Sequence, residues 1–153
     1  MPNPLLVAAA VGLGIAGLFR LLKTKKKMFV SYYYDADNRY KNMLMAWSKN
    51  EKFEIEFEDV SADVRIKSET DGALKRALSR KIKEADVLLV IVGEKTHRRH
   101  WVVWEVEKAL ELGKRIVAVK IKSTHESPKE LLGAGVKWAK SFDYKAIKAA
   151  MEA

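Results

Sequence analysis

The chain has 153 residues, no Cys, and 29 Lys+Arg against 20 Asp+Glu, a formal charge of +9. That length suits one domain with a real hydrophobic core, and an apolar content of 48% excludes wholesale disorder. The missing Cys excludes a disulfide framework, a thiol nucleophile and a Cys-based zinc site.

The charge is unevenly placed. Residues 1–28 hold Arg20, Lys23, Lys25, Lys26 and Lys27 with no acid, leaving 24 basic against 20 acidic residues in the remainder. From Leu5 to Phe19 no side chain is polar, and counting through Leu22 gives eighteen residues. As a helix these span about 27 Å, against a hydrocarbon core of about 30 Å. Arg20 can snorkel towards headgroups, and the lysines that follow mark the cytoplasmic side. We therefore expect a transmembrane anchor over 4–22, a basic juxtamembrane linker over 23–27 and a globular domain over 28–153. The expected location is the cell membrane, single-pass, with the N-terminus outside and the domain cytoplasmic. A signal peptide, a buried core helix and an amphipathic surface helix are the competing readings. The first is disfavoured because the charge follows the apolar run, the last because no polar face exists. The spacing of Ala8, Gly12 and Ala16 is compatible with helix packing in lipid.

The remainder alternates strands and helices. Residues 28–34 are β-branched and aromatic, which predicts a strand. Tyr40, Leu44 and Trp47 form a helical stripe within 36–49. Residues 53–59 alternate Phe53, Ile55 and Phe57 with acids, as expected for a half-buried edge strand. After a polar loop over 60–67, Ser68 is expected to cap a helix whose buried stripe is Leu74, Leu78 and Ile82. Residues 87–93 form a continuous apolar run that reads as a central strand buried on both faces. A helix over 99–112 stopped by Gly113, a strand over 115–121, a weak strand over 136–139 and a helix over 143–152 complete the order. This predicts an α/β three-layer sandwich with a central parallel sheet in flavodoxin-like order. Ligands in such sheets bind outside the carboxyl ends of the strands, at the switch point. The segments leaving those ends are Tyr32–Asn38 and Gly93–His100.

In the second segment, Gly93, Thr96, Arg99, Trp101, Val102, Trp104, Glu105 and Val106 resemble the pattern that follows the central strand in TIR-like domains. The match is especially to the ThsB proteins of the bacterial Thoeris antiphage system. FVSYYYDAD (29–37) is similar to the family's first strand and loop. Asp71, Ala73, Leu74, Lys75 and Arg76 are similar to the opening of its second helix. The resemblance covers residues 28–122; the sequence beyond carries no family signal. Where many TIR enzymes have Ser and Cys flanking the Trp, this chain has Arg99 and Val102.

The resemblance implies cleavage of NAD⁺ at the nicotinamide–ribose bond by a glycohydrolase or ADP-ribosyl cyclase-type enzyme. NAD⁺ enters as a substrate, with no cofactor. The product, an ADP-ribose-derived and in some enzymes cyclic nucleotide, would signal to a separate effector, and homo-oligomers often build the site. That bond breaks through an oxocarbenium-like transition state, so a carboxylate near the developing charge helps. Glu105 is the catalytic candidate, one turn after Trp101 on the same helical face. Thr96, Arg98 and Arg99 are candidates to hold the pyrophosphate, with Trp101 beside them. Ser31, Tyr32 and Asp35 are candidates for the opposite wall, although Ser31 and Tyr32 point to opposite faces of a regular strand.

Competing roles stand beside each of these: an ion pair of Glu105 with Lys108, core packing by Trp101 and Trp104, surface charge at Arg98 and Arg99, and a helix cap at Asp35. His97, His100 and His125 lack an acid cluster, so no metal site is expected, and no phosphate-loop motif or nucleic-acid reader is present. A non-catalytic TIR-like assembly module and a nucleoside deoxyribosyltransferase-like enzyme are the other function classes left open.

Overall fold

The computed structural model describes residues 25–50, 52–58 and 70–153. The expected anchor, residues 23 and 24 of the linker, the loop over 60–67 and Ser68 all lie outside these residues. Among the described residues no helix is long and apolar enough to cross a membrane.

Five strands and four helices alternate: β1 (Lys26–Ser31), α1 (Tyr34–Ser48), β2 (Ile55–Glu58), α2 (Asp71–Glu84), β3 (Val87–Val92), α3 (His100–Glu111), β4 (Arg115–Lys120), β5 (Lys137–Ala139) and α4 (Tyr144–Glu152). A 3-10 turn over Thr96–Arg98 links β3 to α3, and another over Lys129–Leu131 precedes β5. The sheet order is β2-β1-β3-β4-β5, and every pairing is parallel. The expected α/β three-layer sandwich is therefore observed, with β2 at an edge and β3 at the centre. The chain reverses its direction of winding between β1 and β3, whose register sets Met28 against Val87 and Ser31 against Val90.

Side-chain alternation divides the core. Met28, Val30, Leu89, Ile91, Val117 and Val119 face Leu44 of α1 and Ile147 of α4. Phe29, Leu88, Val90, Ile116 and Ala118 face Leu78 of α2 and Val106 of α3. All six residues of β3 are buried, as a strand covered on both faces requires.

Several boundaries differ from expectation. β1 starts at Lys26, inside the expected linker, because the backbones of Lys26 and Lys27 pair with Ile55 and Glu56 while their side chains stay exposed. It ends at Ser31 rather than residue 34, because the Tyr33 carbonyl already accepts the Asp37 N–H at 2.8 Å and starts a helix. The cap of α2 is Thr70, whose Oγ1 accepts the Ala73 N–H at 3.1 Å, so Ser68 does not fill that position. Gly113 stops α3 at φ +66°, a conformation that favours glycine.

The segment without family signal completes the sheet. β5 extends the parallel order, and α4 packs on β4 and β5 and reaches the segment before β2, where Tyr144 stacks on Phe53 at 4.0 Å and its hydroxyl accepts the Glu54 N–H at 2.7 Å.

Candidate functional site

The switch point between β1 and β3 is walled by the segments after their carboxyl ends. On the β1 side, Ser31 is fully buried and projects to the α3 side of the sheet, between the alternating residues of β1. Tyr32 lies in the opposite layer, 4% exposed in the cluster with Leu44 and Ile147. The structure thus separates the two, and Tyr32 is a core residue rather than a partner of Ser31. Asp35 falls in the first turn of α1, past its cap position at Tyr33, so it is not the helix cap. Its side chain is not among those described.

Asp37, 5% exposed, brings a carboxyl to the switch point. Its carboxylate presses on Gly93: a Cβ built there would lie 2.3 Å from Oδ1 and 2.4 Å from Oδ2. Thr96 Oγ1 accepts the Gly93 N–H at 2.8 Å and lies 3.3 Å from both Asp37 Oδ2 and the Ile91 carbonyl. One hydroxyl proton serves one of those two acceptors at a time. Fully buried Thr96 is therefore committed to the turn, not presented to solvent.

Burial holds the Asp37 carboxyl above the ordinary carboxylate range, opposed by the Thr96 hydrogen bond and the charge of His125. A raised folded-state pKa contributes stability below the ordinary value, and that contribution is lost as pH rises through the raised one. Asp37→Asn should accordingly gain in thermal midpoint over the wild type as pH rises from about 3 to 7. Parallel melts across that range check the trend, and a gain that shrinks with rising pH would contradict it.

The other candidates divide between two places. Arg99 stacks its guanidinium over the Tyr33 ring at 3.7 Å, bridging the two crevice segments. Arg98 and Trp101 instead line, with His97, a neighbouring cleft of 420 Å³ that also takes in Asp71, Lys75 and Trp104. Trp101 and Trp104 meet edge to face at 5.9 Å and pack partly against the α2–α3 core. The Arg98 Nε is 3.2 Å from His97 Nε2, which is also 3.3 Å from Glu126. These contacts require opposite protonation of Nε2, so they alternate.

Glu105 is 1% exposed, on the sheet-facing side of α3 with Val102, Val106 and Ala109. The expected rival, an ion pair with Lys108 on a solvated face, is not what forms: Lys108 pairs with Glu111 at 2.8 Å. α3 packs on β1 as well as on β3 and β4, so Glu105 and Ser31 belong to the same layer.

Five buried side-chain polar atoms among the described residues have no hydrogen-bond partner; three belong to the crevice segments, Asn38 Oδ1, His97 Nδ1 and Arg99 Nε, and a fourth, Ser31 Oγ, closes β1. Folded proteins pair nearly all such atoms, so four of them on the two stretches of chain that end β1 and follow β3 mark a functional region. Asp37 and Asn38 are additions to the sequence-based set. No group of three or more potential metal ligands occurs among the described residues.

Ser31→Ala removes a buried hydroxyl that has no partner. It should leave the thermal midpoint unchanged or slightly raised, whereas a fall of several degrees would show that the hydroxyl supports the fold.

Solved structures share this architecture at low identity. A 2-deoxyribosyltransferase from Bacillus psychrosaccharolyticus superposes with a TM-score of 0.56 at 12% identity, covering 76% of this chain and 87% of its own. A CMP N-glycosidase, BcmB, from Clostridium botulinum gives 0.56 at 14% identity, covering 84% and 100%. These likenesses establish the fold alone. In sequence, a Bacillus cereus (strain MSX-D12) protein named "Putative cyclic ADP-D-ribose synthase ThsB1" is 29% identical over 99 residues, 63% of this chain. The matched region spans about half of that relative, 52% of its length. The family model for the Thoeris protein ThsB, TIR-like domain, matches residues 29–126. That match runs from Phe29 within β1 to beyond β4 and takes in both crevice segments and all of α3, and the chain belongs to the TIR-like domain family of the Thoeris protein ThsB.

Proposed function

We propose that the crevice between β1 and β3 binds NAD⁺ and that the chain cleaves its nicotinamide–ribose bond, producing an ADP-ribose-derived signal in antiphage defence. The observation that carries this reading is that Ser31 at the end of β1, Asn38 in the segment after it and Arg99 in the segment after β3 each keep a buried polar atom without a partner, beside a layer that holds buried Glu105. The relative's name, a cyclic ADP-D-ribose synthase, supports the same chemistry.

In this reading nicotinamide departs as a neutral base with the electrons of the C–N bond, so it needs no proton. Positive charge develops on the ribose, and the Glu105 carboxylate stabilises it. A water or a hydroxyl of the same nucleotide then attacks the ribose carbon and loses its proton to solvent, giving ADP-ribose or a cyclic product. Arg99 meets the pyrophosphate. Arg98 and Trp101, facing the neighbouring cleft, are assigned to the outer part of the substrate or to packing, and Asp35 remains a candidate contact.

The apolar segment over 4–22 is proposed as a membrane anchor. β1 begins at Lys26, at the end of the sheet opposite the crevice. A homo-oligomer and a separate effector that responds to the product complete the proposal.

A second reading follows from the burial of Glu105 among Val102, Val106 and Ala109: a non-catalytic assembly module in which the residue is structural. Incubating the full chain, reconstituted in vesicles, with NAD⁺ and following nicotinamide and nucleotide products by mass spectrometry separates the two. Release of nicotinamide supports the enzyme; its absence from the assembled, infection-activated protein leaves the assembly module.

A further inference from the structure

The contacts around Asp37 form a closed circuit. Its backbone N–H donates to the Tyr33 carbonyl at 2.8 Å, and its carboxylate touches Gly93 and lies within reach of Thr96 Oγ1. Thr96 opens the 3-10 turn over Thr96–Arg98, and the Arg99 N–H closes that turn on the Thr96 carbonyl at 3.1 Å. The Arg99 guanidinium then returns to the ring of Tyr33. The circuit thus runs from Asp37 through Thr96 and Arg99 to Tyr33 and back, joining both walls of the crevice.

Each link has a distinct physical role. The missing Cβ at Gly93 lets the carboxylate approach the backbone. Thr96 connects that carboxylate to the turn through one hydroxyl, which also receives the Gly93 N–H. The face of Tyr33 fixes the guanidinium plane. Arg99 therefore has its position set from two sides while its buried Nε keeps no protein partner. A guanidinium held in place with donor capacity to spare loses little freedom on gripping a phosphate.

We infer that Asp37 is a positioning residue that acts through Arg99, with Tyr33 as its counterpart on the other side, and that the circuit selects ligands carrying a pyrophosphate. This deepens the NAD⁺ reading and rests on it for the identity of the ligand. Asp37 touches no reacting atom in this assignment; it fixes where the cation stands.

The test measures the dissociation constant of ADP-ribose for the full chain by calorimetry. Wild type, Asp37→Ala, Arg99→Ala and the double variant form one cycle, with thermal midpoints recorded in parallel. Asp37→Ala and Arg99→Ala should each weaken binding by about tenfold, and the double variant should be no weaker than Arg99→Ala alone. Asp37→Asn, which can still accept the Thr96 hydroxyl, should restore binding to within about threefold of wild type. A merely structural role would instead give losses that multiply in the double variant and that follow the thermal midpoints; that result overturns the inference, as does a wild type that does not bind ADP-ribose. If Asp37→Ala fails to fold, the cycle of Tyr33→Leu with Arg99→Ala reads the same coupling, with Tyr33→Phe as the conservative variant. Wild type that binds ADP-ribose yet leaves NAD⁺ intact overturns the catalytic reading alone, so the two failures are told apart.

Discussion

Glu105→Gln should reduce the rate of nicotinamide release by a factor on the order of 10²–10³, the range seen when one preorganised electrostatic contact to a transition state is lost. The change keeps the volume and the polar tip of the side chain, and it sits 1% exposed on the core side of α3. The thermal midpoint should therefore stay within a few degrees of wild type. Glu105→Ala is the less informative variant, because it opens a cavity between Val102, Val106 and Ala109 and couples any loss of activity to a loss of packing. Nicotinamide release at saturating NAD⁺, measured beside the melts, separates the two effects. A Glu105→Gln protein that turns over at the wild-type rate would remove the residue from the chemistry and return it to the core.

The second large effect is expected at Gly93. An added Cβ would stand 2.3–2.6 Å from three atoms of the Asp37 carboxylate, well inside contact distance. Asp37 is short, helical and buried, so the group cannot swing into solvent, and Gly93→Ala should cost about 1–3 kcal/mol. For a domain of this size that lowers the melting midpoint by several degrees. The cause can be isolated, because trimming the opposing carboxylate relieves the clash. Gly93→Ala combined with Asp37→Ala should melt higher than Gly93→Ala alone, a non-additivity expected of residues in direct contact. If the double variant melts lower still, the close approach is not the source of the glycine requirement.

Much of the fold was legible because the sheet is simple. The run Val87–Val92 is apolar without a break, which only a strand buried on both faces requires, and it became the central β3. Alternation in Phe53, Ile55 and Phe57 placed β2 at an edge. What misled was composition near the end of β1. The three tyrosines favour a strand, yet the chain turns into α1 after Ser31, because helical hydrogen bonding starting at the Tyr33 carbonyl overrides β propensity.

The candidate site was legible in outline, and the same boundary hid part of it. Tyr32 lies in the core layer opposite Ser31, as the alternation of a regular strand implies. What was missed is Asp37, on which the stripe Tyr40, Leu44 and Trp47, carried one turn back, lands at i−3 from Tyr40. The helical period held the information, and the strand boundary concealed it. At α3 the residue pattern located Glu105 correctly on an inward face. It also grouped Trp101 and Arg98 with Arg99, which the structure divides between the cleft beside α2 and the stack on Tyr33. That division depends on how α2 and α3 pack, and no local spacing encodes it.

The central claim is that a dinucleotide occupies the carboxyl-end crevice between β1 and β3. Amide hydrogen exchange of the full-chain Glu105→Gln protein, with and without NAD⁺, tests it most directly, because the substrate should bind without being consumed. Exchange should slow over Ser31–Asn38 and Gly93–Arg99 and stay unchanged at the opposite ends of the same strands, around Asp86–Val87 and Lys114–Arg115. Protection confined to those opposite ends, or no NAD⁺-dependent protection anywhere, would contradict it.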